Sequence, residues 1–303
     1  PGDDKEIAKE GVSVANKFVN AGVVGVIGHW NSHVTIPASE VYNEANIPEL
    51  TVSSNARVTE RGFKNIFRLF GRDDDQARTF AQFITEVLKK KTIVILDDKT
   101  AYGQSLADEV ERLIKDRIQV LMHEHITTGD KDFSAILTRI KAMKPDIFFY
   151  GGYYPEAGLL LKQGRELGLD TIYINDEASV DPQLITIAGE AANGTYISQG
   201  TPLEETEALK SFKVRFKKRF GREPGIWAFY SYDGANILLN AIKETGGTDP
   251  DKVIEAIRNT DYVGVTGKFQ YNEKGDRVGI GYIIYKIEDG KFIPYWSPFK
   301  GML

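Results

Sequence analysis

Residues 92–122 read TIVILDDKTAYGQSLADEVERLIKDRIQVLM, and the fold turns on them. Thr92-Ile93-Val94-Ile95-Leu96 is too short for a helix and too continuously apolar for a strand with one wet face. It predicts a strand buried on both faces of a parallel sheet. Ala101 to Lys115 then carries apolar residues at helical spacing, and Ile118-Gln119-Val120-Leu121-Met122 starts another strand. A strand, a helix and a second strand of this kind return as a right-handed parallel crossover.

The same unit recurs on both sides of this stretch. Val23-Val24-Gly25-Val26-Ile27-Gly28, Asp146-Ile147-Phe148-Phe149-Tyr150 and Thr171-Ile172-Tyr173-Ile174 are further apolar runs. Helical patterns cover Asp74 to Lys89, and a stretch from Asp132-Phe133-Ser134 that Lys144-Pro145 stops. The expected class is α/β with doubly wound sheets, and 303 residues favour two lobes over one. The last third differs: helices over Leu203–Arg219, Ile226–Thr245 and Asp251–Arg258 precede strands at Gly267–Tyr271 and Gly281–Ile287. The chain opens on a helix (Lys5 to Asn20) leading into the Val23 run. A complete doubly wound lobe starts with a strand–helix–strand of about thirty residues, so a preceding N-terminal segment is expected to be missing.

Composition narrows the function. A net charge of −5 argues against nucleic-acid binding, which calls for a basic face. The absence of cysteine excludes disulfides, thiol nucleophiles and thiolate metal sites. No apolar run approaches the ~18 residues of a membrane span. Pro1-Gly2-Asp3-Asp4 is no signal peptide, so any such peptide is expected to have been removed already. No G-x-S-x-G, Walker A, G-x-G-x-x-G or H-E-x-x-H motif occurs, so neither an enzyme nor a bound cofactor is expected. His123 and His125 face one side of a strand and could hold a metal, but no third ligand is evident in the sequence, and no metal site is expected.

In open α/β sheets, ligands bind beyond the carboxyl ends of the strands. The first such end is Gly28-His29-Trp30-Asn31-Ser32, where a helix starts near Ser32 and its positive terminus would favour a carboxylate. The competing reading is an ordinary N-cap by Asn31 or Ser32. The second is Ser53-Ser54-Asn55, small polar residues that could hold charged groups or form a plain turn. Tyr102, Tyr153 and Glu177 follow three further strands, and Trp227 stands at a helix start as a candidate apolar wall. For each of these taken alone, packing or solvation is the competing reading.

Several motifs, in their order, resemble those of class I periplasmic solute-binding proteins of ABC importers, specifically the branched-chain amino-acid-binding group. They are Val26-Ile27-Gly28-His29 with Thr35-Ile36-Pro37-Ala38-Ser39, Thr59-Glu60-Arg61-Gly62 with Phe67-Arg68, and Asp97-Asp98-Lys99 with Tyr102-Gly103. Asp132-Phe133-Ser134, Tyr150-Gly151-Gly152-Tyr153-Tyr154-Pro155-Glu156 and Asn272-Glu273-Lys274-Gly275-Asp276 complete the set. The resemblance spans essentially the whole chain. It implies two Rossmann-like lobes of periplasmic-binding-protein type I, joined by three hinge crossovers: 1–71 with 202–280, and 72–201 with 281–303, the ligand cleft lying between them. It also implies an amino acid as ligand, branched-chain or otherwise apolar or aromatic, delivered to a membrane permease. The setting would be periplasmic, or extracellular and lipid-anchored.

By the same resemblance, Ser32 receives the ligand carboxylate and Ser53-Ser54-Asn55 contacts both carboxylate and ammonium. Tyr102 and Tyr153 are the aromatics of the second lobe, Glu177 pairs with the amino group, and Trp227 lies near the ligand side chain. Trp30 and Asn31 depart from the family pattern, standing where smaller or apolar residues are usual. Trp30 would shrink the pocket or stack on a flat ligand. A ligand sensor of the same fold, or a binder of a small carboxylate without an amine, is the alternative.

Overall fold

The computed structural model describes residues 1–303. The chain forms two compact units, one of Pro1–Arg72 with Pro202–Ile280, the other of Asp73–Thr201 with Gly281–Leu303. It therefore passes between them three times.

The chain starts in the first unit with α1 (Ala8–Asn20), β1 (Val26–Ile27), α2 (Ser32–Glu44), β2 (Glu49–Thr51), α3 (Arg57–Glu60) and β3 (Ile66–Arg68). In the second unit follow α4 (Asp73–Gln82), β4 (Thr92–Asp97), α5 (Gly103–Ile114), β5 (Gln119–His125) and α6 (Ser134–Met143). β6 (Ile147–Gly151), α7 (Tyr154–Glu166), β7 (Ile172–Asn175), α8 (Pro182–Ala188) and β8 (Tyr196–Gly200) continue it. The first unit resumes with α9 (Glu207–Phe220), α10 (Ile226–Thr245), α11 (Pro250–Arg258), β9 (Tyr262–Gly264) and β10 (Gly267–Phe269). β11 (Tyr282–Glu288), β12 (Lys291–Ser297) and β13 (Gly301–Met302) return to the second.

The first unit holds a parallel sheet ordered β1-β2-β3 and a separate antiparallel β9–β10 pair. α1 and α2 bury Ala15, Ala38 and Tyr42 with Val26 and Ile47. The second unit holds an eight-stranded sheet ordered β13-β12-β11-β8-β7-β6-β4-β5, parallel from β5 to β8 and antiparallel beyond. Ile93, Val94, Ile95 and Leu96 of β4 are all wholly buried, because alternate side chains enter cores on opposite faces. On one face Val94 and Leu96 join Phe148, Tyr150 and Tyr173, and on the other Phe80 stands edge-on to Phe149 at 5.1 Å.

Several strands differ from the sequence expectation. β1 pairs only over Val26–Ile27, and β2 ends at Thr51, so residues 52–55 form a loop. β5 runs on to His125 with much of its length accessible, because an edge strand tolerates the polar His-Glu-His tail. β3 carries no apolar-run signal because Arg68 interrupts it, yet all three of its residues are buried. α4 gives way to a π-helical stretch over Phe83–Leu88.

Candidate functional site

Each unit gathers its share of the candidate residues at the carboxyl ends of its own strands. In the first unit, α2 opens at Ser32 with its positive terminus beside the β2 loop. The Ser53 hydroxyl bonds Ser32 Oγ at 3.3 Å and donates to the Trp30 carbonyl at 3.1 Å, and the Asn55 N–H donates to Ser32 Oγ at 3.4 Å. Asn31, Ser32, Ser53, Ser54 and Asn55 are all buried. Asn31 occupies the N-cap position of α2 without a side-chain capping bond, so capping does not account for its buried amide. Asn55 does serve its own turn, with Oδ1 accepting from the Arg57 N–H at 2.9 Å.

A buried guanidinium fixes this loop from below. Arg68 donates to the Ser53 carbonyl, to the Asn55 carbonyl at 3.0 Å, to Thr59 Oγ1 at 2.9 Å and to Asp276 Oδ1 at 2.9 Å. Asp276 arrives on a turn whose Gly275 has a φ of +90°; a Cβ there would lie 2.2 Å from the Ile66 carbonyl oxygen. Arg72 adds a second guanidinium at 2.8 Å from Asp276 Oδ2. Burial pushes the Asp276 carboxyl up, but the Arg68 charge, hydrogen bonds from Arg68 and Thr59 and the Arg72 charge outweigh it and hold it at about 2.

Trp30 and Trp227 lie 5.9 Å apart, and Phe70 meets Trp227 edge-on at 5.1 Å. The two indoles help line a cavity of about 110 Å³ whose other walls are mainly apolar, among them Ile27, Leu50, Val52 and Leu69. Buried polar groups at the start of α2 and an indole-lined apolar cavity in the same unit suit a ligand with a polar head and an apolar tail.

In the second unit, sheet order selects the place. β5 lies on one side of β4 and β6 on the other, so the chain reverses its winding between β4 and β6. That is a topological switch point, where loops diverge and leave a crevice. Tyr102, at the N-cap of α5, and Tyr153, at the N-cap of α7, meet there with ring centroids 5.6 Å apart. The two loops come this close because Gly103 and Gly151 face each other; a Cβ on Gly103 would lie 2.5 Å from the Gly151 oxygen.

Glu177 follows β7 in a single 3₁₀ turn and is 3% exposed. Asp176 caps that turn, accepting from the Ala178 N–H at 3.0 Å, and ties it to the β6 loop through the Gly152 N–H at 2.6 Å. Burial and the Glu177 charge push the Asp176 carboxyl well above its ordinary range. The Tyr102 hydroxyl donates to Glu177 Oε2 at 2.7 Å, and the Gln76 amide donates to the same oxygen. Burial, with the charges of Asp176 and Glu177, raises the Tyr102 hydroxyl well above its usual value, so it stays a donor.

Gln76 is the site-building residue that the sequence did not reveal. It lies on α4, wholly buried, and also donates to Ser198 Oγ at 2.6 Å. A lone Gln in an acidic helix start carries no signal of this; only its burial marks it. Of the ten expected site residues, the structure groups seven in the first unit (Trp30, Asn31, Ser32, Ser53, Ser54, Asn55, Trp227) and three in the second (Tyr102, Tyr153, Glu177).

Residues 1–291 match the family model described as periplasmic binding protein. Leu/Ile/Val-binding protein homolog 1 of Brucella abortus is 39% identical over 297 residues, 96% of this chain and 80% of that protein. The leucine-, isoleucine-, valine-, threonine-, and alanine-binding protein of Pseudomonas aeruginosa is 35% identical over 286 residues, 94% of this chain and 77% of that one. Among solved structures, the leucine binding protein LivK of Thermotoga maritima aligns with a TM-score of 0.89 at 26% identity, over 96% of this chain and 84% of that one. The chain belongs to the periplasmic binding protein family. It is a type I member of that α/β class and a solute-binding protein, not an enzyme. The family's setting is the periplasm or the cell exterior. No helix is long and apolar enough to cross a membrane.

Proposed function

We propose that this protein captures a branched-chain or other apolar α-amino acid and hands it to the membrane permease of an ABC importer, working in the periplasm or from a lipid anchor outside the cell. In the first unit, the start of α2 and the Ser53–Asn55 loop offer donors to a carboxylate and the Trp30–Trp227 wall suits an apolar side chain; in the second, Glu177 suits an ammonium. The observation that carries this reading is Glu177: a buried carboxylate whose Oε2 is held by two neutral donors, Tyr102 and Gln76. Such a group is oriented in advance for a charge-assisted bond to an ammonium. The relatives named for leucine, isoleucine and valine binding support the same ligand class.

Calorimetry with leucine, isoleucine, valine and phenylalanine, and with benzoate as an acid lacking the amine, tests it. Glu177→Gln keeps the size and removes the charge, and it is expected to weaken amino-acid binding by about 100-fold or more. Amino-acid affinity within about threefold of the parent protein, a difference of less than ~1 kcal/mol, would remove Glu177 from the ammonium site. Benzoate binding tightly while the amino acids do not would favour an amine-free carboxylate as the natural solute.

A further inference from the structure

The second unit carries a cluster that solute capture does not use. His123 and His125 stand two apart on β5, so both project from one face of the sheet. Asp97, the last residue of neighbouring β4, is in register with His125. Its Oδ2 lies 2.7 Å from His125 Nδ1 and 3.0 Å from His123 Nε2, and the three ligand atoms all fall within 4.8 Å of one another. We propose that Asp97, His123 and His125 form a binding site for a borderline divalent transition-metal ion, with Zn²⁺ as the reference ion.

Ligand chemistry points to this class. Two imidazoles and one carboxylate form a three-ligand set typical of zinc and its neighbours, whereas calcium and magnesium prefer all-oxygen sites. A tetrahedral ion with bonds near 2.0–2.1 Å spaces its ligand atoms about 3.3 Å apart, so Asp97 Oδ2 would move roughly 0.3 and 0.6 Å from the imidazoles, and the two ring nitrogens, within 4.8 Å of each other, would close toward the same spacing. Binding would replace the imidazole protons that now face Asp97 with the metal.

The outer groups are already arranged for it. Glu111 Oε2 lies 2.6 Å from His123 Nδ1, fixing the ring so that Nε2 faces Asp97. A carboxylate behind a ligating histidine is the usual way such a ring is oriented. Asp97 Oδ1 is occupied by the Lys99 N–H at 2.8 Å, which leaves Oδ2 for the ion. Access is assured because β5 is the sheet's edge strand and the His125 side chain is 37% exposed. An ion here would clip the ends of β4 and β5 together at the root of the segment that carries Tyr102.

The test uses the tag-free chain, stripped with EDTA and dialysed, then titrated with Zn²⁺ by calorimetry and with Co²⁺ by visible absorption. One equivalent of Zn²⁺ is expected, with a cobalt spectrum of mixed nitrogen and oxygen ligation and a metal-dependent rise in melting temperature. His125→Gln, at the most exposed ligand, should weaken Zn²⁺ by at least about 100-fold, and Glu111→Gln, which acts through the His123 ring, by about 10- to 100-fold. Melting temperatures in EDTA check that both variants are folded. Absence of stoichiometric Zn²⁺ binding, or binding that survives His125→Gln, overturns the proposal. This inference is independent of the amino-acid reading: leucine affinity can fail while zinc binding holds, and the reverse.

Discussion

The two units position their candidate residues by different physics. In the second, a wide sheet with largely buried central strands carries Tyr102, Tyr153 and Glu177 on loops whose roots are β4, β6 and β7. In the first, the sheet has three strands of two or three residues, and the Ser53–Asn55 loop depends on a buried guanidinium paired with a carboxylate 208 residues away. A hydrophobic layer gives its stability to many residues at once, whereas a buried ion pair concentrates it in a few atoms and fails sharply when one is removed. The positions of the first unit's candidate residues should therefore be the more fragile.

The largest effect is expected from Arg68→Met. It leaves the buried Asp276 with Arg72 and the Thr59 hydroxyl and without the Arg68 charge, and it releases the carbonyls of Ser53 and Asn55. Breaking a buried pair in this way costs about 3–5 kcal/mol. Hydrogen exchange should show β2 and β3 losing protection while β4 and β6 keep theirs, with amino-acid affinity falling alongside. A global loss below ~1 kcal/mol, the size of an exposed pair, would mean the loop is held by something other than this pair.

Acid should separate the units next. An unfolded aspartate titrates near ~3.9, and Asp276 is held at about 2. Its stabilisation is therefore complete above ~4 and is lost as pH falls through about 2, amounting to roughly 2–3 kcal/mol. Asp176 has the opposite sign. Its raised carboxyl favours the fold below the unfolded value and loses that advantage as pH rises through its folded one. Acidification should loosen the first unit before the second. In denaturant titrations from pH 6 to 2, the stability gap between the parent and Asp276→Asn should close; a constant gap would break the comparison.

The smallest effect belongs to Lys274→Ala. Lys274 pairs with Glu60 at 2.8 Å, but both side chains are largely exposed. Such pairs are worth about 0–1 kcal/mol. A shift beyond that range would mean the turn carrying Asp276 depends on its surface charges as well as on Arg68.

How far these features can be read from residues alone varies with their range. The helix expected over Ile226–Thr245 is present with those same bounds, because capping and periodicity are local. The β3 strand was illegible, since Arg68 sits where an apolar residue would signal burial. Of the candidate residues, the serines after β1 and β2 and the aromatics after β4 and β6 could be placed at strand ends, because strand ends are visible in the pattern. Gln76 could not, because its partner Glu177 is 101 residues away.

The residues alone are enough to set the alternation of strand and helix, the α/β class and the loops on which a solute could be recognised. Each follows from periodicity over a few residues, which encodes which side of an element is dry. Only the tertiary structure decided the partners. It set Asp276 on Arg68, Gln76 on Glu177 and Asp97 beside the two histidines of β5. Those pairings depend on strand order and register, which bring polar groups from distant segments within reach. A buried polar group must find such a partner wherever the fold supplies one, and its own neighbours in sequence do not reveal where.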